Sequence, residues 1–318
     1  MKGVLAIDAG GSKCDALLVT PAGEVIGWGR WSVRDAGSGR GTGGSGRSGA
    51  TVRRAVQQAL RQAKGLSDLH VVGYGASPKD LAEFAGRAGG VQSVRECDAA
   101  MALAGIEAGV VALAGTGAFV YGRRPDGKEV HLDALGPLLG DYGSGYHIGL
   151  MAIRAAAKAS WHPRHATSLE VPVLEACQAF SGQSEGFHLV AYMLGNPDRA
   201  EVASLAELVN AHAEAGDRHA RSILETAADE LAETLRDVVD LLNIASELLP
   251  LVGTGGVITG SHLYWEHFCL RCREFAPGLE PRLAPGPLVA GVALLGLKHL
   301  GKVDDLIRRR LLGALAGR

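Results

Sequence analysis

The sequence predicts an α/β protein whose chain builds the same strand-and-turn pattern twice. Two distant segments, GVLAIDAGGSKCDALLVT from Gly3 and GVVALAGTGAFVYG from Gly109, each contain two apolar runs separated by a glycine-rich turn. Short apolar runs bounded by glycine are typical of buried strands. Because both segments share this pattern, we expect two domains of similar architecture.

The composition favours a globular protein that binds small molecules. The 318 residues are 47% hydrophobic, which is enough for a large buried core. The net charge is −2 and no basic block occurs, so we expect neither a nucleic-acid nor a membrane partner. The start MKGVLAID leads directly into a strand, which favours a cytoplasmic protein. Five scattered cysteines do not predict a disulfide framework.

In the first half, three strands are predicted to form an antiparallel meander, because apolar runs follow one another with short turns between them. The segment 35–49 is rich in glycine and serine, and we expect a mobile loop there. Apolar residues at helical spacing then predict a helix, followed by alternating strands and helices. The predicted elements are strands 3–8, 15–20 and 24–29, helix 48–64, strand 70–75, helix 79–87, strand 93–97 and a helix from Ala99.

The second half repeats this order from Gly109, with an insertion of about 55 residues at 160–215 that we expect to be largely helical. The last predicted helix, 304–315, is amphipathic and could pack on the first half. We therefore predict one domain from residues 1–106 and 302–318 and another from 107–301. The predicted elements are strands 110–115, 118–124 and 128–135, helices 147–159 and 217–246, strand 250–259, and helices 261–275, 287–300 and 304–315.

Each glycine-rich turn is a candidate phosphate site, because a turn without Cβ atoms lets backbone N–H groups converge on an anion. Asp8 precedes the first turn, residues 10–13, where a carboxylate could hold hydrated Mg²⁺. Thr116 and Gly117 occupy the equivalent turn of the second half. One such turn is also common in ordinary hairpins. The pair, on a duplicated framework, predicts a nucleotide triphosphate and its metal ion.

Three further sites complete a set suited to phosphoryl transfer, which requires positioned phosphates, an oriented acceptor and a proton acceptor. Asp98 ends the predicted strand 93–97, and we interpret it as a general base or as the group that orients an acceptor hydroxyl. Asp98 could instead cap the following helix, and the two roles can coexist. Asp141 lies among glycines that allow a ligand to approach the backbone. Gly255 and Gly256 follow a strand and could admit a flat adenine ring.

The ordered segments IDAGGSK, ECDAAMALAG, VVALAGTGAFVYGR, LGPLLGDYGSGYHIGLMAIRAA and VGTGGVITG resemble the N-acetylglucosamine kinase branch of the BadF/BadG/BcrA/BcrD ATPase family. The resemblance spans nearly the whole chain and is strongest over residues 109–157. It implies two RNase-H-like domains of the actin/hexokinase type around a central cleft. It also implies a kinase that uses ATP and Mg²⁺ to phosphorylate the 6-hydroxyl of an amino sugar, N-acetylglucosamine or glucosamine, and a homodimer.

The same resemblance assigns roles to individual residues. The residues implied to bind the nucleotide, with Asp8 also on the metal, are Asp8, Gly10, Gly11, Ser12, Lys13, Thr116, Gly117, Gly255 and Gly256. The residues implied to contact the sugar, with Asp98 as general base, are Ser77, Asp98, Thr116, Gly117 and Asp141.

The chain also departs from the family pattern. The family asparagine that contacts the sugar after the third strand has no counterpart in residues 32–49. Ala118 replaces a serine of the second phosphate turn, and Asp133-Ala134-Leu135 replaces a segment that bears a tryptophan. These changes leave open an N-acetylmuramic acid kinase, whose carboxylate could meet Arg40 or Arg47. An ATPase activator of a dehydratase and a sugar sensor without turnover are further alternatives.

One cysteine motif invites a metal-binding interpretation. Cys269 and Cys272 form a CxxC, with His262 and His267 just upstream. However, all four fall on or near one predicted helix, whereas tetrahedral zinc sites usually draw ligands from two separate segments. We therefore interpret the cysteines as two partly buried thiols.

Overall fold

A computed structural model describes residues 2–32, 49–62, 68–85, 90–183, 185–301 and 303–315. Up to residue 107 the elements are β1 (Lys2–Ala9), β2 (Lys13–Val19), β3 (Val25–Ser32), α1 (Gly49–Leu60), β4 (Asp68–Tyr74), α2 (Pro78–Ala82), β5 (Val91–Ser93) and α3 (Glu96–Ala104). The remaining elements are β6 (Gly109–Ala114), β7 (Ala118–Arg123), β8 (Glu129–Asp133), α4 (Gly145–Lys158), α5 (Glu170–Ser181), α6 (Leu189–Leu194), α7 (Arg199–Glu214), α8 (Arg218–Leu242), β9 (Leu249–Thr254), α9 (Gly256–Gly260), α10 (His262–Phe275), β10 (Leu279–Leu283), α11 (Leu288–Leu300) and α12 (Asp305–Gly313).

The first compact unit comprises residues 1–107 and 284–318. Its sheet has the strand order β3-β2-β1-β4-β5, in which β1 to β3 form an antiparallel meander and β4 and β5 run parallel to β1. Successive side chains of a strand point to opposite faces. Accordingly, Val4 and Ala6 pack with α3 and α11, whereas Leu5 and Ile7 pack with α1. Helices cover both faces, which explains why β1 is apolar almost throughout.

The second unit, residues 108–283, repeats this arrangement. Its sheet has the order β10-β9-β6-β7-β8, again with an antiparallel meander followed by two parallel strands. In chain order, helices α4 to α8 lie between β8 and β9, as α1 alone lies between β3 and β4 of the first unit. Apolar residues of α8 recur at helical spacing, and Leu224, Leu231 and Leu235 are buried in one large core. The α/β class and the two RNase-H-like domains are therefore confirmed.

The chain returns to the first unit earlier than the predicted boundary at residue 302. The structure assigns α11 to the first unit, because Val289, Ala293 and Leu297 pack with Val4 and Val72 of its sheet. The predicted final helix also lies in this unit as α12, where Leu311 is fully buried. Strand β10 was not predicted, since LEPRL contains proline and charge and lacks an apolar run.

Two sequence expectations concern features that the described residues test only in part. Residues 35–48 of the glycine-rich segment, including Arg40 and Arg47, lie outside the described residues. Among the residues described, no helix is both long enough and apolar enough to cross a membrane.

Candidate functional site

In the first unit, the predicted site residues lie at or beyond the carboxyl ends of three neighbouring strands. Asp8 is the penultimate residue of β1 and pairs in register with Tyr74, the last residue of β4. Ser77 follows β4, and Asp98 follows β5, which is parallel to β4. Ligands of open α/β sheets bind outside the carboxyl ends of strands. The structure thus places Asp8, Ser77 and Asp98 at the edge of the sheet where such a ligand is expected.

The first glycine-rich turn joins β1 to β2. A methyl group built on Gly10 would lie 3.2 Å from the carbonyl oxygen of Lys13, so the turn is tight at this glycine. Ser12 is half-buried in the turn, whereas Lys13 is exposed as the first residue of β2. Asp8 is only 8% exposed. A nearly buried carboxylate beside a glycine turn matches the oxygen donor that a hydrated Mg²⁺ ion prefers.

A row of charged residues crosses the sheet beside this turn, and sequence reasoning missed two of its members. Asp8 stands opposite Asp15 of β2, and Asp15 stands opposite Arg30 of β3, so the three side chains share one face. Arg30 binds Asp15 with both Nε, at 2.6 Å, and Nη2, at 3.1 Å. The hydrogen bond with Asp15 raises the pKa of Arg30, and the negative charge of Asp8 adds to the effect. The one local signal was an aspartate inside an otherwise apolar strand.

Ser77 has a structural role in the first unit. Its Oγ accepts a hydrogen bond from the Asp80 N–H at 3.1 Å and donates to Asp80 Oδ2 at 2.6 Å. Ser77 is thereby the N-cap of α2, with Pro78 at the first helical position. The predicted helix 79–87 is shorter in the structure and begins one residue earlier.

Asp98 does not end a strand, which corrects the sequence prediction. Strand β5 stops at Ser93, and Asp98 lies in the first turn of α3, where Arg95 is the N-cap residue. The segment predicted as a strand, SVREC, includes Glu96, which is already the first residue of α3. Arg95 holds the carboxylate with Nε at 2.7 Å from Oδ2 and Nη2 at 3.1 Å from Oδ1. Asp98 retains a side-chain exposure of 28%.

In the second unit, both glycine motifs lie at the carboxyl ends of the parallel strands β6 and β9. The turn after β6 is closed by a hydrogen bond from the Gly115 N–H to the Gly117 carbonyl at 2.9 Å. Gly255 follows β9 with φ of 92°, and a methyl group there would lie 2.3 Å from the Ala114 carbonyl oxygen. Only glycine allows this approach of two backbones. A methyl group added to Gly256 would have no atom within 4 Å, so the backbone at this residue is uncovered.

Asp141 contacts the turn of the second unit. It is 4% exposed and has a left-handed backbone with φ of 58°. Its Oδ1 accepts a hydrogen bond from the Ala118 N–H at 3.3 Å, and its Oδ2 pairs with Nη2 of Arg199 at 2.5 Å. Burial raises the pKa of Asp141, while the Ala118 hydrogen bond and Arg199 oppose this shift. The side chain of Asp141 therefore lies against the turn that contains Thr116 and Gly117.

The cysteine motif forms no metal site among the residues described. Cys269 and Cys272 are buried on α10, and burial raises the pKa of the Cys269 thiol to about 11. The two histidines have other partners: His262 lies 3.3 Å from Glu266, and His267 lies 2.9 Å from Asp229. The burial of both free cysteines agrees with the interpretation made from the sequence.

Comparison with known proteins identifies the family. The model of the BadF/BadG/BcrA/BcrD ATPase family matches residues 5–267. The chain belongs to this family. The matched range includes β1 from Leu5 onward, both glycine-rich turns, Asp98, Asp141 and the Gly255-Gly256 pair.

Two curated proteins that are similar to this chain in sequence are named as sugar kinases. The chain is 32% identical over 193 residues to an N-acetylmuramic acid/N-acetylglucosamine kinase from Clostridium acetobutylicum, covering 60% of this chain and 61% of that protein. It is 33% identical over 190 residues to an N-acetyl-D-glucosamine kinase from Dictyostelium discoideum, covering 59% of each. The chain therefore matches about three fifths of the length of these relatives.

A solved structure shares the fold. A protein from Chromobacterium violaceum, provisionally named an N-acetylglucosamine kinase, superposes with a TM-score of 0.65 at 21% identity, over 93% of this chain and 99% of that one. At this sequence identity, the structural similarity supports the fold of this chain but does not indicate its function.

Several charged partners of the site residues escaped sequence reasoning because no local pattern marks them. Arg95 and Arg199 bind Asp98 and Asp141, but an arginine at a helix start is common on protein surfaces. Asp133 was noted as a departure from the family pattern, and its carboxylate accepts hydrogen bonds from the backbone around Asp141.

Proposed function

We propose that the protein is an ATP- and Mg²⁺-dependent kinase that phosphorylates the 6-hydroxyl of an amino sugar, N-acetylglucosamine or glucosamine. One observation carries this proposal: Asp8 with its glycine-rich turn, Ser77 and Asp98 lie at or beyond the carboxyl ends of three adjacent strands of one sheet. A metal-binding carboxylate, a phosphate cradle and a carboxylate for the acceptor are the parts that phosphoryl transfer requires. The names of the curated relatives support the same class of substrate.

In this proposal, Asp8 holds the hydrated Mg²⁺ ion while the backbone N–H groups of residues 10–12 bind the phosphate oxygens. Thr116 and Gly117 supply further N–H and hydroxyl donors, and Gly255 and Gly256 admit the adenine. ATP supplies the phosphoryl group. The bond between its γ-phosphorus and the bridging oxygen breaks, and a bond from phosphorus to the sugar oxygen forms.

Asp98 orients the acceptor hydroxyl and takes its proton in this scheme. Arg95 supports the role, because its two hydrogen bonds fix the plane of the carboxylate. The N-terminus of α3 adds the partial positive charge of a helix start, which favours an anion in its first turn. Asp141 and Ser77 are proposed to orient the sugar, in addition to the structural contacts that both already make.

N-acetylmuramic acid is the second candidate substrate, because the relative from Clostridium acetobutylicum is named for both sugars. The homodimer and the cytoplasmic location remain predictions.

The test is ADP release from Mg–ATP with glucosamine, N-acetylglucosamine, N-acetylmuramic acid, glucose or no sugar. We expect turnover with N-acetylglucosamine, glucosamine or both, and little with glucose. Asp98→Asn should lower turnover about 100-fold or more while nucleotide affinity stays near that of the wild type. Glu96→Gln is the matched control, because Glu96 lies in the same first helical turn. Equal turnover with and without every sugar would refute the kinase proposal.

A further inference from the structure

The loop that joins β8 to α4 has an unusual backbone. Asp133, Ala134 and Asp141 all have positive φ, at 70°, 61° and 58°, although none is glycine. Such left-handed residues persist only where the surroundings hold them, and they concentrate at functional sites. This loop therefore needs an interaction that keeps it closed.

Asp133 supplies that interaction. Its Oδ1 accepts hydrogen bonds from the N–H of Asp141 at 2.7 Å and of Leu135 at 3.4 Å. Its Oδ2 accepts from the N–H of Tyr142 at 2.9 Å. A methyl group on Gly140 would lie 2.1 Å from Asp133 Oδ1, so the loop backbone folds tightly around this carboxylate. One side chain thus joins the beginning of the loop to its end.

The end of the loop in turn contacts the second glycine-rich turn. Asp141, whose backbone Asp133 holds, accepts a hydrogen bond from the Ala118 N–H. A methyl group on Gly117 would lie 2.9 Å from Asp141 Oδ1, so the carboxylate lies directly against the turn. The loop also contacts the turn through its backbone, because the Ala134 N–H donates to the Ala118 carbonyl at 3.1 Å.

We propose that Asp133 is a positioning residue for the second phosphate turn and acts through Asp141. Its carboxylate fixes the backbone of Asp141, and the side chain of Asp141 fixes the turn at Gly117 and Ala118. Asp133 itself contacts neither nucleotide nor sugar in this scheme. The inference rests on the proposed function in one respect, namely that this turn binds phosphate.

A matched pair of glycine variants separates the carboxylate from the backbone strain. Asp133→Gly and Ala134→Gly each give a left-handed residue its preferred amino acid, but only the first removes the carboxylate. We expect Asp133→Gly to lower kcat/KM for Mg–ATP about 100-fold, the size of effect that a misplaced binding group produces, while Ala134→Gly stays within about twofold of the wild type. Asp133→Asn keeps one acceptor oxygen and should recover much of the loss.

Hydrogen exchange provides a readout that does not depend on activity. In Asp133→Gly, exchange in a peptide covering residues 113–121 should increase several-fold, while the core helix α8 stays protected. Binding of a non-hydrolysable Mg–ATP analogue should weaken in the same variant. Equal behaviour of both glycine variants would overturn the proposal. A uniform rise in exchange across the second unit would also overturn it, since that marks a purely structural role.

The two proposals fail in distinguishable ways. If the wild-type protein releases no ADP in response to any sugar, the proposed function fails. Exchange at residues 113–121 and binding of the ATP analogue would still decide whether Asp133 positions the turn.

Discussion

The pair Gly255 and Gly256 allows a quantitative test, because adjacent glycines of one predicted adenosine motif have opposite surroundings. Gly255 has φ of 92°, a region that other residues occupy at a cost of about 1–3 kcal/mol. A methyl group there would also lie 2.3 Å from the carbonyl oxygen of Ala114 and 2.5 Å from its carbonyl carbon. Both atoms belong to backbone, so the backbone must shift, at a further cost of about 1–3 kcal/mol.

We therefore expect Gly255→Ala to lower the free energy of unfolding by about 3 kcal/mol or more. For a unit of this size that corresponds to a drop in melting temperature of about 6–12 °C. Gly256→Ala should leave the melting temperature unchanged or slightly higher, because nothing lies within 4 Å and alanine favours the helix that begins there.

The assay is thermal unfolding followed by circular dichroism, combined with titration by an ATP analogue. Gly256→Ala should weaken nucleotide binding without loss of stability, since a methyl group would occupy the space proposed for adenine. Comparable stability losses in the two variants would refute the steric reasoning. Unchanged nucleotide affinity in Gly256→Ala would refute the placement of adenine.

Three further variants test other contacts. Ser77→Ala removes the N-cap of α2 and should lower the free energy of unfolding by about 1 kcal/mol. A rise in the KM for the sugar at unchanged kcat would support the proposed contact between Ser77 and the substrate. Arg30→Ala leaves Asp15 buried without its bidentate partner and should cost about 1–3 kcal/mol in urea unfolding, whereas Arg30→Ala with Asp15→Asn should recover part of the loss. Burial raises the pKa of Asp217, but hydrogen bonds from the start of α8 and from Ser168 outweigh it, so the folded-state pKa lies below its usual range. The stability that Asp217 contributes is therefore present above about pH 4 and is lost as the pH falls; the difference in urea midpoint between the wild type and Asp217→Ala should shrink from pH 7 to pH 3.

The duplicated architecture could be predicted because its signals are local. Apolar runs and glycine-rich turns mark the strands β1, β2, β6 and β7 in the sequence itself, and the spacing of apolar residues marks α8. Strand β10 lacks such a signal, because its register is set by pairing with β9 and not by its own composition.

The candidate site was predictable only in its glycines and carboxylates. Those residues have distinctive neighbours in the sequence, whereas their partners come from distant positions. Arg199 reaches Asp141 across 58 positions, and Arg30 reaches Asp15 from another strand. Asp98 was predicted to end a strand over residues 93–97, but β5 stops at Ser93 and α3 begins at Glu96, so Asp98 lies in a helix.

The late position of α11 in the chain has a consequence for biosynthesis. One face of the first sheet is covered in part by α11, a helix that leaves the ribosome only after the whole second unit has been made. At about 5–20 residues per second, Val4 and Val72 wait roughly ten to sixty seconds for their packing partners on α11. During that interval the nascent amino-terminal sheet exposes an apolar surface, which makes it a site for chaperone binding, while residues 108–283 can already close their own core.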